Sequence, residues 1–170
     1  WLASAGMEAA IEGLNVAFQV REARPWWRRR LAAIGLTVAV ALLAGLALGM
    51  VVAGVVASKF LAEWAGLTDL WTPLWHWGRW LAIAAFLLAA IALIYSFGPN
   101  LKARRKGHVI LPGAAVALAG WLGASAGLRL YLEHFNTFGV TYGALGAVIA
   151  LLLWLYLTGT ALLLGAEINS

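Results

Sequence analysis

The sequence predicts an all-α fold, a polytopic transmembrane helical bundle of four full spans preceded by an N-terminal helix. Of its 170 residues, 64% are hydrophobic and only 11% are charged, whereas soluble domains carry about 25% charged residues. Four uncharged runs of 28, 22, 22 and 33 residues each exceed the ~20 residues that a bilayer-crossing helix needs. Lipid cannot satisfy free backbone amides, and no run alternates apolar with polar residues, so each run is expected to be a helix.

Residues 1–24 are predicted to form an amphipathic helix, because two kinds of side chain follow the helical rhythm. The apolar members are Met7, Ile11, Leu14 and Phe18. The polar members, each one residue later, are Glu8, Glu12, Asn15 and Gln19. We interpret the two glutamates as part of a solvated face, with a carboxylate pair as the alternative. Pro25 disfavours helix at the residue before it, so this helix is expected to end by Arg24.

The rest of the chain, residues 25–170, is expected to form the four-span domain. Its spans are predicted at residues 31–58, 73–97, 109–130 and 141–167. Thr72 and Pro73 are typical of an N-cap and a first helical position, and are predicted to start the second span. Gly98, as a left-handed cap, and Pro99 are predicted to end it.

Nine of the twelve basic residues lie on one side of the predicted bundle. They are Arg21, Arg24, Arg28, Arg29, Arg30, Lys102, Arg104, Arg105 and Lys106. The positive-inside rule makes that side cytoplasmic, and four spans then place the C-terminus there too. We interpret the run 28–30 as a topology signal that also contacts anionic lipid headgroups, and expect no nucleic-acid partner.

Small residues repeat every fourth position along two spans. Gly45 and Gly49 lie in the first, and Gly123 and Gly127 in the third. Such stripes let helix backbones approach closely in lipid, so these glycines are predicted at helix contacts. The same stripes could also join copies of the chain into a homo-oligomer.

The sequence shows no motif for catalysis, a metal or a cofactor. It contains no cysteine, and its three histidines lack the spacing of metal ligands such as HxxxH. Arg129 and Glu133 are expected to form an ordinary i, i+4 ion pair.

Glu167 follows a long apolar run, where a carboxylate is costly unless it is paired. We expect it to find a partner among Arg24, Asn100, Lys102 and Arg104, and so to hold the cytoplasmic helix ends together. A lipid-headgroup or substrate site is the alternative. The candidate functional residues are Asn15, Arg24, Asn100, Arg104, Tyr142, Glu167 and Asn169.

Four short segments give the chain a recognisable pattern. They are FGPN at 97–100, LPGA at 111–114, TYGALGAVI at 141–149 and LLGAEIN at 163–169. In this order, and with Leu14-Asn15-Val-Ala-Phe18 before Glu22-Ala-Arg24, the chain resembles the YihY/virulence factor BrkB family of bacterial inner-membrane proteins. The resemblance covers essentially the whole chain.

The resemblance implies a six-span protein with both ends in the cytoplasm. It also implies that residues 1–24 are the tail of a second span, most of which lies outside this sequence. The family carries the older label ribonuclease BN, but it supplies no catalytic residues to transfer here. We therefore expect a non-enzymatic envelope role, such as transport or organisation of lipids or other amphiphiles. The alternatives are a transporter or channel for a polar solute and, less favoured, a membrane-associated ribonuclease.

Overall fold

A computed structural model describes residues 2–65, 68–100, 110–134 and 137–170, with the side chains of 55–76, 137–142 and 144 excepted. Its helices are α1 (Leu2–Ala17), α2 (Trp26–Ala65), α3 (Thr68–Phe97), α4 (Leu111–His134) and α5 (Thr137–Ile168). Four stretches are long and apolar enough to cross a membrane: Trp26–Gly54, Trp77–Phe97, Leu111–His134 and Leu145–Ile168. The predicted all-α, four-span class is confirmed. The division into residues 1–24 and 25–170 stays a prediction.

Helix α1 packs through the apolar face that its sequence predicts. Ile11 and Leu14 are buried, while Met7 and Phe18 are partly buried against the same clusters. Burial of two large aliphatic side chains stabilises this docking by roughly 1.5–3 kcal/mol each.

Helix α1 ends at Ala17, well before Arg24. Gln19 adopts a left-handed conformation with φ 51°. The amide of Gln19 then donates to the Val16 carbonyl at 3.0 Å, and that of Val20 to the Asn15 carbonyl at 2.9 Å. These two bonds form a Schellman turn, a motif that usually has glycine where this chain has glutamine.

Helix α2 starts directly after a proline, and the start of α3 differs from the prediction. Pro25 directly precedes α2, and its carbonyl accepts the Arg28 and Arg29 amides at 3.0 and 3.2 Å. Helix α3 begins at Thr68, so the predicted cap at Thr72 is wrong. Pro73 lies in the second turn instead. Because proline has no backbone N–H, one intrahelical hydrogen bond is absent there.

Gly98 ends α3 as predicted, but not as a left-handed cap. Among the described glycines only Gly143 has a positive φ. The Gly98 amide still donates to the Ile94 carbonyl at 2.8 Å. An added Cβ would lie 2.5 Å from that carbonyl oxygen and 3.3 Å from Leu14 Cδ1. Glycine is needed here because a side chain would clash with the Ile94 carbonyl in the last turn of α3 and would also press on Leu14 of α1.

Helix α5 is kinked at Gly143, where φ is 48° and ψ is −126°. This backbone conformation is open to glycine and strained for other residues. The helix itself starts at Thr137, before the predicted 141.

The glycine stripes do not form the helix contacts predicted for them. Among the described residues, a Cβ added at Gly45, Gly49, Gly123 or Gly127 would meet nothing within 4 Å, so that prediction is wrong for contacts within the described part of the chain. Close packing between α4 and α5 is instead found nearer the start of α4. Its contact residues are Gly113, Ala117 and Gly120, which approach Gly165 and Ala161.

Candidate functional site

The predicted cytoplasmic ends of the helices meet in a polar network that we call the clasp, formed by Asn15, Glu22, Arg24, Gly98 and Asn100. Its centre is an ion pair in the α1–α2 connection. Arg24 donates from its backbone amide and Nε to Glu22 Oε1, at 3.0 and 2.9 Å. Its Nη2 donates to Glu22 Oε2 at 2.8 Å. Such a two-pronged pair fixes both side chains in one geometry.

The clasp ties this connection to the end of α3. Arg24 Nη2 also donates to the Gly98 carbonyl at 2.7 Å. Asn15, which is 5% exposed, donates from Nδ2 to Glu22 Oε2 and accepts the Asn100 amide at Oδ1, both at 2.9 Å. A buried amide with both ends bonded fixes the relative position of the two chain segments.

The charge state of the clasp is set by Arg24. Hydrogen bonds from the guanidinium lower the pKa of Glu22 from 4.5 to about 2, against the opposing effect of burial. The carboxylate therefore stays ionised throughout the physiological pH range.

A second amide side chain, that of Asn169, joins the start of α4 to the end of α5 through hydrogen bonds. It is 5% exposed. Its Oδ1 accepts the Gly113 amide at 2.9 Å, and its Nδ2 donates to the Ile110 carbonyl at 3.0 Å. The Gly113 and Gly165 backbones lie so close that a Cβ on either would overlap the other's carbonyl oxygen. A side chain at either position would therefore clash with the other helix, so both residues are glycine.

Tyr95 lies between the two amide contacts. Its side chain is fully buried, and its hydroxyl donates to the Leu162 carbonyl at 2.5 Å. The ring packs edge-on against Phe18 with centroids 6.2 Å apart. One residue thus links α1, α3 and α5.

Ion pairs join α1 to the start of α2. Glu8 pairs with Arg29 and Arg30 at 2.8 and 2.7 Å, and Glu12 pairs with Arg29 at 2.7 Å. The interpretation as a solvated face agrees with Glu12, whose side chain is 57% exposed, but is wrong for Glu8, which two arginines cover to 19% exposure. In the basic run, the Arg28 guanidinium instead lies 4.9 Å above the Trp27 ring.

Deeper in the bundle, α4 and α5 are joined by two tryptophans. Trp154 Nε1 donates to Ser125 Oγ at 3.2 Å, and Trp121 Nε1 donates to Thr158 Oγ1 at 3.1 Å. The rings lie edge-on at 6.0 Å. Each indole N–H thus has a partner where lipid offers none, which fixes the register of the two helices.

At the opposite end, the predicted ion pair between Arg129 and Glu133 is confirmed at 2.7 Å. The two side chains are largely exposed. They line a shallow groove of about 520 Å³ beside Ser125.

The structure brings four of the predicted site residues into contact networks: Asn15, Arg24 and Asn100 in the clasp, and Asn169 beside it. Glu167 is exposed. The prediction that it pairs with Arg24 or Asn100 is wrong, because Glu22, two residues from Arg24, binds that guanidinium instead.

The remaining predicted site residues are only partly described. Arg104, like the other predicted partner Lys102, lies outside the described residues. Tyr142 lies on α5, but its side chain is outside the described part. Tyr95 and Gly113 were missed as site residues, although Gly113 lies within LPGA and Tyr95 lies two residues before FGPN.

A groove of about 420 Å³ runs between α1 and α5 at the predicted cytoplasmic end. Its walls include Val16 on α1 and Leu163 and Leu164 on α5. Gln19 and Glu167 contribute polar groups. Val16 is 79% and Leu164 55% exposed, so apolar walls lie open beside a carboxylate.

Comparison with known proteins finds one family along the whole chain. The sequence model of a family described as Virulence factor BrkB matches residues 1–170. The chain is 34% identical over 170 residues to a protein of Bacillus subtilis named ribonuclease-like protein YfkH, covering all of this chain and 61% of that protein. It thus spans about three fifths of the length of that relative.

Other relatives match a shorter part. A UPF0761 membrane protein of Tolumonas auensis is 35% identical over 106 residues, covering 57% of this chain and 34% of that protein. One of Xanthomonas campestris is 40% identical over 100 residues, covering 55% of this chain and 23% of that protein. No solved structure matches the chain significantly.

Proposed function

Since the chain belongs to the virulence factor BrkB family of membrane proteins, we propose that it is a non-enzymatic, multi-pass protein of the bacterial inner membrane that transports or organises lipids or other amphiphiles. The groove between α1 and α5 is the observation that carries this proposal. Its apolar walls lie beside Glu167, in the last turn of a membrane-spanning helix. An amphiphile presents the same change from apolar to polar at this depth of a bilayer.

The orientation follows from charge. With the clasp end in the cytoplasm, nine of twelve basic residues lie on the inner side. Trp26 and Trp27, 78% and 46% exposed, then lie at the headgroup level beside Arg28. Aromatic rings and an arginine at this depth suit contact with anionic headgroups. The open glycine faces at Gly45 and Gly49 leave room for a second copy of the chain.

A ribonuclease is the second candidate, because the Bacillus subtilis relative is named ribonuclease-like. Metal-assisted cleavage of a phosphodiester needs clustered carboxylates or histidines. In the described residues, Glu8, Glu12 and Glu22 are each bound by arginines, and no group of three potential metal-binding side chains lies together. The geometry therefore favours the amphiphile role.

Purified full-length protein in liposomes tests the two candidates together. Fluorescent phospholipid is placed in both leaflets, and the fraction that an external quencher reaches is followed with time. We expect the protein to accelerate exchange between leaflets over protein-free vesicles. RNA is incubated with the same preparation, with and without Mg²⁺. RNA cleavage without lipid exchange would overturn the proposal in favour of the nuclease.

A further inference from the structure

We propose that the α1–α5 groove selects amphiphiles whose headgroup carries a protonated primary amine, and that the Glu167 carboxylate is its partner. This inference rests on the proposed amphiphile role and adds the chemical class of the headgroup. It is carried by the position of Glu167, the walls of the groove and the distribution of charge around them.

Glu167 lies at the depth of a headgroup. The apolar span Leu145–Ile168 ends one residue after it, and its side chain is exposed. The other carboxylates at this end, on Glu8, Glu12 and Glu22, are bound by arginines. Within the described side chains, no lysine or arginine lies within ion-pair distance of Glu167. Glu167 also lines the groove, so its carboxylate lies beside the apolar walls.

The walls suit the chain next to such a headgroup. Val16 and Leu164 are exposed aliphatic side chains on opposite sides of the groove. Between them α1 carries Gly13, where a Cβ would lie 3.2 Å from Leu163 Cδ2. The missing side chain lets α1 and α5 approach each other at this point. Its volume of about 420 Å³ falls in the range of small-molecule sites, roughly 300–1,000 Å³.

Charge then discriminates among headgroups. A carboxylate attracts an ammonium group and repels a headgroup that is only anionic. A primary ammonium also donates hydrogen bonds to the carboxylate oxygens, which a quaternary ammonium cannot do. Phosphatidylethanolamine should therefore bind better than phosphatidylcholine, and phosphatidylglycerol should bind least.

Native mass spectrometry of the full-length protein measures this selectivity. Protein is equilibrated with equal amounts of the three phospholipids, which share the same acyl chains, and the bound lipids are counted. We expect phosphatidylethanolamine to be preferred over phosphatidylglycerol in the groove by about fivefold, the ratio given by ~1 kcal/mol, the upper range for an exposed ion pair. Because phosphatidylglycerol also binds at the basic face around Arg28, the measure is the difference between proteins: Glu167→Gln should lower the ratio of bound phosphatidylethanolamine to phosphatidylglycerol by about that factor.

Glu133→Gln is the matched control, because Glu133 is also an exposed carboxylate at a helix end but lies at the opposite side of the bundle. It should retain the preference. A second arm adds glycerophosphoethanolamine, the same headgroup without acyl chains, which should compete weakly because it lacks the apolar part.

Two results would overturn the inference: an unchanged ratio of bound phosphatidylethanolamine to phosphatidylglycerol in Glu167→Gln, or equal competition by the chain-free headgroup. Lipid exchange in liposomes together with either result would refute this inference and leave the proposed function standing. Absence of both exchange and lipid binding would refute the two together.

Discussion

Replacing Gly113 by alanine should destabilise the protein, whereas the same change at Gly45 should not. A Cβ at position 113 would overlap the Gly165 carbonyl and the Asn169 amide. Overpacking of this kind costs about 1–3 kcal/mol, and loss of the hydrogen bond between Gly113 and Asn169 adds ~1 kcal/mol. At position 45 a Cβ meets nothing within 4 Å, and alanine is favoured over glycine in a helix by about 1 kcal/mol.

Thermal unfolding of the full-length protein in detergent, followed by size-exclusion chromatography of the heated samples, checks this pair. A loss of 2–4 kcal/mol corresponds to a decrease in melting temperature of roughly 5–15 °C for Gly113→Ala. Gly45→Ala should melt at or slightly above the wild-type temperature. The packing assigned to α4 and α5 is refuted if Gly113→Ala melts with the wild type. A loss confined to Gly45→Ala would show instead that the glycine stripe makes the important contact.

Three further predictions concern the clasp, the end of α1 and the topology. Because its pKa is lowered, the Glu22 carboxylate stabilises the folded protein above pH 4.5, and this stabilisation is lost as the pH falls towards 2. Lowering the pKa from 4.5 to about 2 corresponds to a contribution of ~3 kcal/mol to the free energy of unfolding. Solvent screening at this partly exposed side chain reduces that contribution to ~1–2 kcal/mol. Unfolding between pH 7 and 3 should thus be less acid-sensitive in Glu22→Gln, and parallel pH profiles would contradict this. Gln19→Gly should increase the free energy of unfolding by about 1 kcal/mol, because it relieves the strain of a left-handed non-glycine residue, and should therefore raise the melting temperature. A lower melting temperature would contradict the Schellman turn. Cysteine at position 69 should react with a membrane-impermeant reagent added to whole cells, and cysteine at 104 should not; the reverse would overturn the orientation.

Composition and run length were sufficient to predict the spans, because crossing a bilayer requires long uncharged helices. They could not predict which faces meet. In lipid both faces of a helix are apolar, so hydropathy does not distinguish Gly113 from Gly123. Only the three-dimensional register of α4 against α5 brings Gly113 to Gly165 and leaves Gly123 open.

The sequence predicted where in the bundle the clasp lies, but it did not predict which of its residues bind each other. The helix connectivity placed Asn15, Arg24 and Asn100 at one end of the bundle. It predicted Glu167 as the carboxylate near the arginine, whereas the structure has Glu22 there. That choice depends on the Schellman turn after α1, which turns the connection back so that Glu22 reaches Asn15. The sequence signal for this turn was weak because glutamine occupies the position where glycine is usual.

The lipid-exchange rate of a protein with its groove filled tests the central claim most directly. Leu164→Trp introduces a large ring at the exposed groove wall, and Leu42→Trp introduces the same ring on the exposed face of α2, away from the groove. In liposomes, we predict that Leu164→Trp lowers protein-dependent lipid exchange towards the protein-free rate, while Leu42→Trp exchanges lipid like the wild type. Equal exchange by both variants at the wild-type rate would contradict the assignment of amphiphile handling to this groove.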